Sequence, residues 1–388
     1  MVSGDTVLFL GAGFSADACL PVLSDFARAA DLADSDLVGF AESDPPKRLM
    51  ARELVAAARS YERFRDACLE SGAVSESDAG NIETVFCLAE ALREVGYPQF
   101  ELEGTPRPMK DIVADIELWI WKTYHRLPFF DRKKNPRGDT YATFFDLLRT
   151  HGLAERTTFI TTNYDVVFEW TAWDAGFASE YPISRSVPLN AGTGTERFVA
   201  PVHPSRTSLP LFKLHGSINY FVEGPESGRV SVSANLSDGN LIGLSQLPIG
   251  CPAVVAVDVL ADLRGRSGAD GLRPAIIPPS YGKLAVCPWQ QEIWRGAFDA
   301  LRTARYLVFI GYSFPLTDGP IRALMSGSLA TRPKQGMPQV FVIDGKETVH
   351  ENFRKFFPGL VQDTDPAYLA DANKNELPTI FQRIRESL

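Results

Sequence analysis

The feature that most constrains this chain is Thr6-Val7-Leu8-Phe9-Leu10, an unbroken apolar run that stops at Gly11-Ala12-Gly13-Phe14-Ser15-Ala16. A run with no polar alternation suits a parallel strand buried on both faces, and the glycines mark its end. Similar runs recur downstream, each closing on a polar motif. Thr157-Thr158-Phe159-Ile160 leads into Thr161-Thr162-Asn163-Tyr164-Asp165, and Leu211-Phe212-Lys213-Leu214 leads into His215-Gly216-Ser217. Tyr306–Ile310 ends at Gly311-Tyr312-Ser313, and Gln339–Ile343 ends at Asp344-Gly345. Helix-compatible stretches lie between them at Ser15–Ala30 (interrupted by Pro21), Val166–Trp173 and Gln290–Ala304. This alternation predicts an α/β fold, a doubly wound Rossmann-like parallel sheet. Ligands of such sheets bind outside the carboxyl ends of the strands, where every one of these polar motifs falls.

Two long stretches depart from the pattern. From about Phe26 to Arg126 the chain is rich in Ala, Leu, Glu and Arg, with apolar residues at three- and four-residue spacing. That predicts a helical insertion, drawn at 26–140, with loops near Asp44-Pro45-Pro46 and Ser71–Gly80. Trp119, Trp121 and Tyr124 on its last helix read as core. Residues 223–275 are rich in Gly, Ser and Asp and read as a loop- and hairpin-rich insertion. The expectation is one catalytic domain over 1–388 with these two insertions.

Composition narrows the function classes. With 39 basic and 48 acidic side chains, the formal charge is −9, which argues against generic nucleic-acid binding. The densest basic run, Arg132–Arg137, carries Pro136 and reads as a solvated loop. The 5 cysteines stand at 19, 68, 87, 251 and 287 without a Cys-x-x-Cys pair, so neither a disulfide framework nor a zinc ribbon is expected. No run reaches the ~18 apolar residues of a membrane span, and no basic stretch precedes the first apolar run. The expectation is a cytoplasmic protein with no membrane association and no metal.

The motifs carry chemistry of their own. Gly11, Ala12, Gly13, Phe14, Ser15 and Ala16 fit G-x-G-x-x-A directly after a strand, a turn that brings backbone N–H groups to a pyrophosphate. The acidic residue that a dehydrogenase carries on a second strand about 20 residues later is missing, because Phe26–Asp34 reads as helix. Asn163 could hold a ribose hydroxyl or a water, with Thr162 and Asp165 beside it able to cap the next helix. His215 is followed by Gly216, so a backbone turn can expose the ring, and histidine is the natural general base at neutral pH. Ser313, after Gly311, and Asp344 are candidates for ribose or phosphate contacts.

Taken together, the order Gly-Ala-Gly-x-Ser, Thr-x-Asn-x-Asp, His-Gly and Gly-x-Ser resembles the sirtuin family, and most closely the bacterial sirtuin-like NAD hydrolases of antiviral defence. Gly11–Ser15 resembles the family's phosphate loop, and Cys19-Leu20-Pro21 stands where sirtuins carry Gly-Ile-Pro. Thr161–Asp165 resembles Thr-Gln-Asn-Ile-Asp, His215-Gly216 the catalytic His-Gly, and Gly311-Tyr312-Ser313 the Gly-Thr-Ser. Ile343-Asp344 resembles an Ile-Asn that contacts the adenosine side, and the Ile276–Tyr281 segment with its Pro278-Pro279 is similar to one in the defence-type proteins. The interval between His215 and Gly311 holds only Cys251 and Cys287, too few for the zinc module of deacylating sirtuins, and Val22-Leu23-Ser24 replaces their Asp-Phe-Arg.

The resemblance implies a sirtuin-like NAD+ glycohydrolase that releases nicotinamide and ADP-ribose, with His215 and Asn163 catalytic. Gly11, Ala12, Gly13, Phe14, Ser15, Pro21, Thr162, Asp165, Gly311, Ser313 and Asp344 are implied to hold the dinucleotide. It further implies an antiphage effector acting by NAD depletion and abortive infection, with a homo-oligomer or a partner such as a HerA-like ATPase as regulator. The alternatives are an NAD-dependent protein deacylase and a non-catalytic subunit that binds NAD or ADP-ribose within a larger complex.

Overall fold

A computed structural model describes residues 4–16, 18, 45–102, 104–125, 138–181, 206–223, 230–232, 272–278, 288–315, 318–332 and 336–387. Pro21, the basic run at 132–137, and Cys251 and Cys287, on which the zinc expectation rests, lie outside the described residues.

Six parallel strands form the main sheet: β1 (Thr6–Leu10), β4 (Thr157–Thr161), β5 (Phe177–Glu180), β6 (Thr207–Lys213), β10 (Tyr306–Ile310) and β11 (Gln339–Ile343). Their order across the sheet is β11-β10-β1-β4-β6-β5. All five residues of β1, β4 and β10 are buried, as strands covered on both faces require. β1 pairs with β10 on one side and β4 on the other, in register over its full length. The chain runs outward from β1 to one edge, then returns to β10 on the opposite side of β1. Strand order therefore reverses beside β1, and a crevice opens there at the carboxyl ends.

The expected helices are present with shifted limits. α1 (Ala12–Ala16) starts directly after Gly11, so Gly13 lies inside its first turn, while residues 19–44 are outside the described residues. The helix expected at 166–173 is α7 (Val167–Asp174), and that at 290–304 is α8 (Pro288–Thr303). α9 (Gly319–Ala330), α10 (Glu347–Phe356), α11 (Leu369–Ala372) and α12 (Glu376–Glu386) complete the carboxyl-terminal part.

Between β1 and α6 (Gly138–Thr150) the chain forms α2 (Pro45–Glu70), α3 (Glu76–Ala79), α4 (Ile82–Glu94) and α5 (Met109–His125). Pro45-Pro46 begins α2 and is not the expected loop, since a proline in the first turn lacks only an N–H that would bond nothing there. A hairpin of β2 (Gln99–Leu102) and β3 (Thr105–Pro108) interrupts the helices. Trp119 and Trp121 are buried in the shared core, and Trp121 Nε1 donates to Ile218 O at 3.0 Å. After β6 the chain enters a small antiparallel sheet of β8 (Val230–Val232), β7 (Gly216–Glu223) and β9 (Leu272–Ile276). Sequence reading leaves β5 and β7 unassigned. One hydrophobic cluster runs from the main sheet through α2, α4 and α5 to α12. Among the described residues no helix is long and apolar enough to cross a membrane.

Candidate active site

Four loops at the carboxyl ends of adjacent strands enclose one cleft of about 580 Å³, counting the space open to solvent. β1 contributes Ala12 and Ser15, β4 contributes Thr162, Asn163, Tyr164 and Asp165, and β6 contributes His215. The loop after β10 brings Gly311, Tyr312, Ser313, Pro315 and Asp318, while Glu83 of α4 and Tyr124 of α5 enter from the helical segment.

The glycine turn is built for close packing of two loops. A Cβ on Gly11 would sit 2.5 Å from Gly311 O, and one on Gly13 would sit 2.7 Å from Gly311 Cα. Gly13 N donates to Gly311 O at 2.8 Å, Gly11 N to Ile310 O at 3.0 Å and Phe14 N to Gly11 O at 2.9 Å. Three N–H groups expected to face a pyrophosphate are thus already donated within the protein. Phe14 is core, its ring against Tyr141, Phe144 and Phe168. Ala12 and Ser15 are the residues of this turn that line the cleft.

A chain of hydrogen bonds ties Asn163 to that turn. Asn163 Nδ2 donates to Gly11 O at 2.9 Å and Ser15 Oγ at 3.0 Å; Ser15 Oγ donates to Asp165 Oδ1 at 3.0 Å. Asp165 Oδ1 also accepts from Val167 N at 2.9 Å, so this carboxylate satisfies the first N–H of α7 from one residue before its N-cap, Val166. Burial pushes the Asp165 carboxyl up, against the lowering effect of Lys213.

His215 is held from both sides. Leu214 N donates to Thr161 O and Trp294 Nε1 to Leu214 O, both at 2.9 Å, while His215 O accepts from Ile277 N at 2.9 Å. Gly216 follows at φ +77°, and a Cβ there would lie 1.8 Å from Ala275 O. Gly216→Ala is therefore expected to destabilise the fold by about 2–5 kcal/mol, combining the left-handed penalty with overpacking against β9. Denaturant unfolding checks this.

Contrary to the expectation that the turn at Gly216 exposes it, the imidazole is buried because the turn packs against β9, and neither ring nitrogen has a hydrogen-bond partner among the described residues. Asp318 Oδ1, equally without a partner, stands 4.0 Å from His215 Nε2, and Asp318 Oδ2 accepts from Tyr312 OH at 2.5 Å. Burial pushes the imidazole pKa below its ordinary value, with Asp318 opposing, so His215 is neutral at neutral pH. Asp318 occupies the N-cap position of α9 but makes no side-chain cap bond. Phe314 at φ +52° is a non-glycine residue in the left-handed region. Arg322 fixes this strained loop by donating to Phe314 O at 2.8 Å and Pro315 O at 3.1 Å.

The cleft therefore joins eight of the sequence-predicted residues: Ala12, Ser15, Thr162, Asn163, Asp165, His215, Gly311 and Ser313. Asp344 is not among its lining residues. It stands past β11, where its Oδ1 accepts from Lys346 N at 3.0 Å and its main-chain oxygen accepts from Ala367 N. Sequence reading missed Glu83, Tyr124, Tyr164, Tyr312 and Asp318. Asp318 left the one usable signal, an acidic residue five positions past the Gly-x-Ser motif.

No protein-family model and no curated protein matches the chain. Among solved structures it is similar to one reported on the mechanism and regulation of Sir2 enzymes, at TM-score 0.37 and 10% identity over 99% of this chain and 95% of that one. Another is Sir2 in complex with the inhibitor EX-527, 2'-O-acetyl-ADP-ribose and deacetylated p53 peptide, at TM-score 0.34 and 13% identity over 98% and 93%. At that identity and overlap, the likeness assigns neither substrate nor reaction to this chain.

Proposed function

We propose that the protein is an NAD+ glycohydrolase, cleaving the bond between nicotinamide and ribose. The observation that carries this reading is the neutral, buried, unpartnered His215 sharing one strand-end cleft with Asn163. The family resemblance of the ordered motifs supports NAD as the substrate.

The bond to the nicotinamide ring breaks with its electron pair leaving on the ring nitrogen. The ring is cationic in NAD+ and departs neutral, so this step needs no proton donor, unlike a sugar leaving group. Water adds to the ribose carbon, and its proton passes to His215. Asn163 has its amide nitrogen committed to Gly11 and Ser15, so its carbonyl oxygen is the end offered to a ribose hydroxyl or the attacking water. Ala12, Ser15, Gly311 and Ser313 line the side assigned to the phosphates, and Asp165 supports Asn163 and takes no part in the reaction.

The acid limb of the pH profile reports the base. His215 must be neutral to accept a proton, so kcat/KM falls as pH drops through its pKa. The limb is expected below the free histidine value of about 6.5. Asp318→Asn removes the charge that holds the pKa up and moves the limb lower still. A limb above 6.5, or one that Asp318→Asn does not move, contradicts the assignment.

An enzyme that destroys NAD needs restraint. Consistent with the resemblance, the proposed setting is an antiphage effector that depletes NAD when assembly, or a partner such as a HerA-like ATPase, switches it on. NAD loss during infection in cells carrying the wild type, but not His215→Ala, tests that role. Deacylation is the competing outcome at the same cleft, and it is distinguished by NAD consumption that requires an acylated peptide.

A further inference from the structure

The mechanism above leaves one acidic residue of the cleft unused. Glu83 is the second residue of α4, its main-chain N–H capped by Asn81 Oδ1 at 3.0 Å. It lines the cleft together with Tyr164, whose hydroxyl donates to Ile277 O at 3.1 Å, and with Asp318. His215 and Asp318 of the same cleft hold three buried polar atoms with no hydrogen-bond partner among the described residues: Nδ1 and Nε2 of His215, and Oδ1 of Asp318. Unsatisfied buried polar atoms of this kind are costly, and at the wall of a cleft they mark where a polar ligand group completes the bonding.

Glu83 and Asp318 line the same cleft, and a carboxyl group facing another carboxylate holds its proton more tightly. Asp318 Oδ2 is already taken by the Tyr312 hydroxyl at 2.5 Å. Burial, with Asp318 adding to it, pushes the Glu83 pKa up to about 8, so Glu83 carries a proton at neutral pH. A protonated carboxyl offers an O–H donor beside a C=O acceptor. A primary carboxamide offers the matching acceptor and donor, whereas a carboxylate offers only acceptors and a charge that Asp318 repels.

We propose that Glu83, backed by Asp318, is a specificity-determining residue that reads the substituent on the leaving ring, accepting a carboxamide and rejecting a carboxylate. This rests on the NAD reading of the cleft, in which the leaving ring departs on the His215 side. It also gives the helical segment a share in the site, since α4 delivers Glu83.

The test compares NAD+ with nicotinic acid adenine dinucleotide on the full chain, which differ only in that substituent. Wild type is expected to favour NAD+ by about 10–100-fold in kcat/KM, the worth of two hydrogen bonds and one avoided repulsion. Glu83→Ala is expected to shrink that ratio at least about 10-fold, while Glu83→Gln, which keeps a donor beside an acceptor, holds it within about 3-fold. A ratio is independent of the fraction of each preparation that folds. A wild type that does not discriminate, or an alanine variant with an unchanged ratio, overturns the proposal while the hydrolase reading stands. If neither dinucleotide turns over, the hydrolase reading fails, and calorimetric titration of both onto wild type and Glu83→Ala reads the same ratio as affinities. Equal affinity, or no binding, then overturns the proposal as well.

Discussion

His215→Ala lowers NAD turnover by about 10²–10⁴-fold, the usual worth of a positioned general base. Asn163→Ala lowers it comparably, but by a different route. The imidazole makes no hydrogen bond that a fold would lose, because both its ring nitrogens are unpartnered among the described residues. The His215 variant is therefore expected to unfold within a few degrees of wild type and to fail in kcat. Asn163 is different, since its amide ties the loop after β4 to Gly11 and Ser15. Its loss frees Ser15 as well, so the variant is expected to pair lower kcat with raised KM. Steady-state kinetics beside thermal unfolding separates the two patterns. A His215 variant as active as wild type removes the base from the mechanism.

The second large effect lies behind the cleft. Lys213, two residues before His215, is fully buried, and its ammonium reaches Glu169 Oε1 at 2.8 Å and donates to the main-chain oxygen of Asp165. Tyr181 OH donates to the same Glu169 oxygen at 3.0 Å and accepts from Asn219 Nδ2 at 3.0 Å. Lys213→Met leaves a buried carboxylate without its cation and is expected to cost about 3–5 kcal/mol. The double variant Lys213→Met, Glu169→Leu removes both charges and is expected to recover part of that loss. Lys213 also joins the Asn163 loop to the His215 strand, alongside Ile218 N and Ser217 Oγ, which both donate to Tyr164 O. The double variant is thus expected to regain stability before it regains turnover. Denaturant melts and kinetics on the three proteins test this; a double variant less stable than the single one contradicts it.

The parts of the fold legible in the sequence are those governed by burial. β1, β10 and β11 are mostly apolar runs and β4 is a fully buried Thr-rich strand, as burial on both sheet faces requires, and β1, β4 and β10 stop at residues that line the cleft. β5 and β7 escaped because Phe177–Glu180 is a short edge strand, and Gly216–Glu223 mixes polar and apolar residues where it turns away into a second sheet. The glycines at 11 and 13 were legible as positions but not as causes. Neither has a positive φ; they are needed because the β10 turn presses against them. Glu83 left no signal, since an acidic residue in the first turn of a helix is ordinary. Asp318 reads as a helix cap in the sequence, whereas in the fold its carboxylate turns to Tyr312 and His215.

The most direct test follows free nicotinamide by proton NMR, with the purified full chain and NAD+ alone, then with an acetylated peptide added. The account predicts nicotinamide and ADP-ribose in equal amounts without peptide, and their loss in the His215→Ala protein. Nicotinamide that forms only with the peptide present, or at the same rate from His215→Ala, contradicts it.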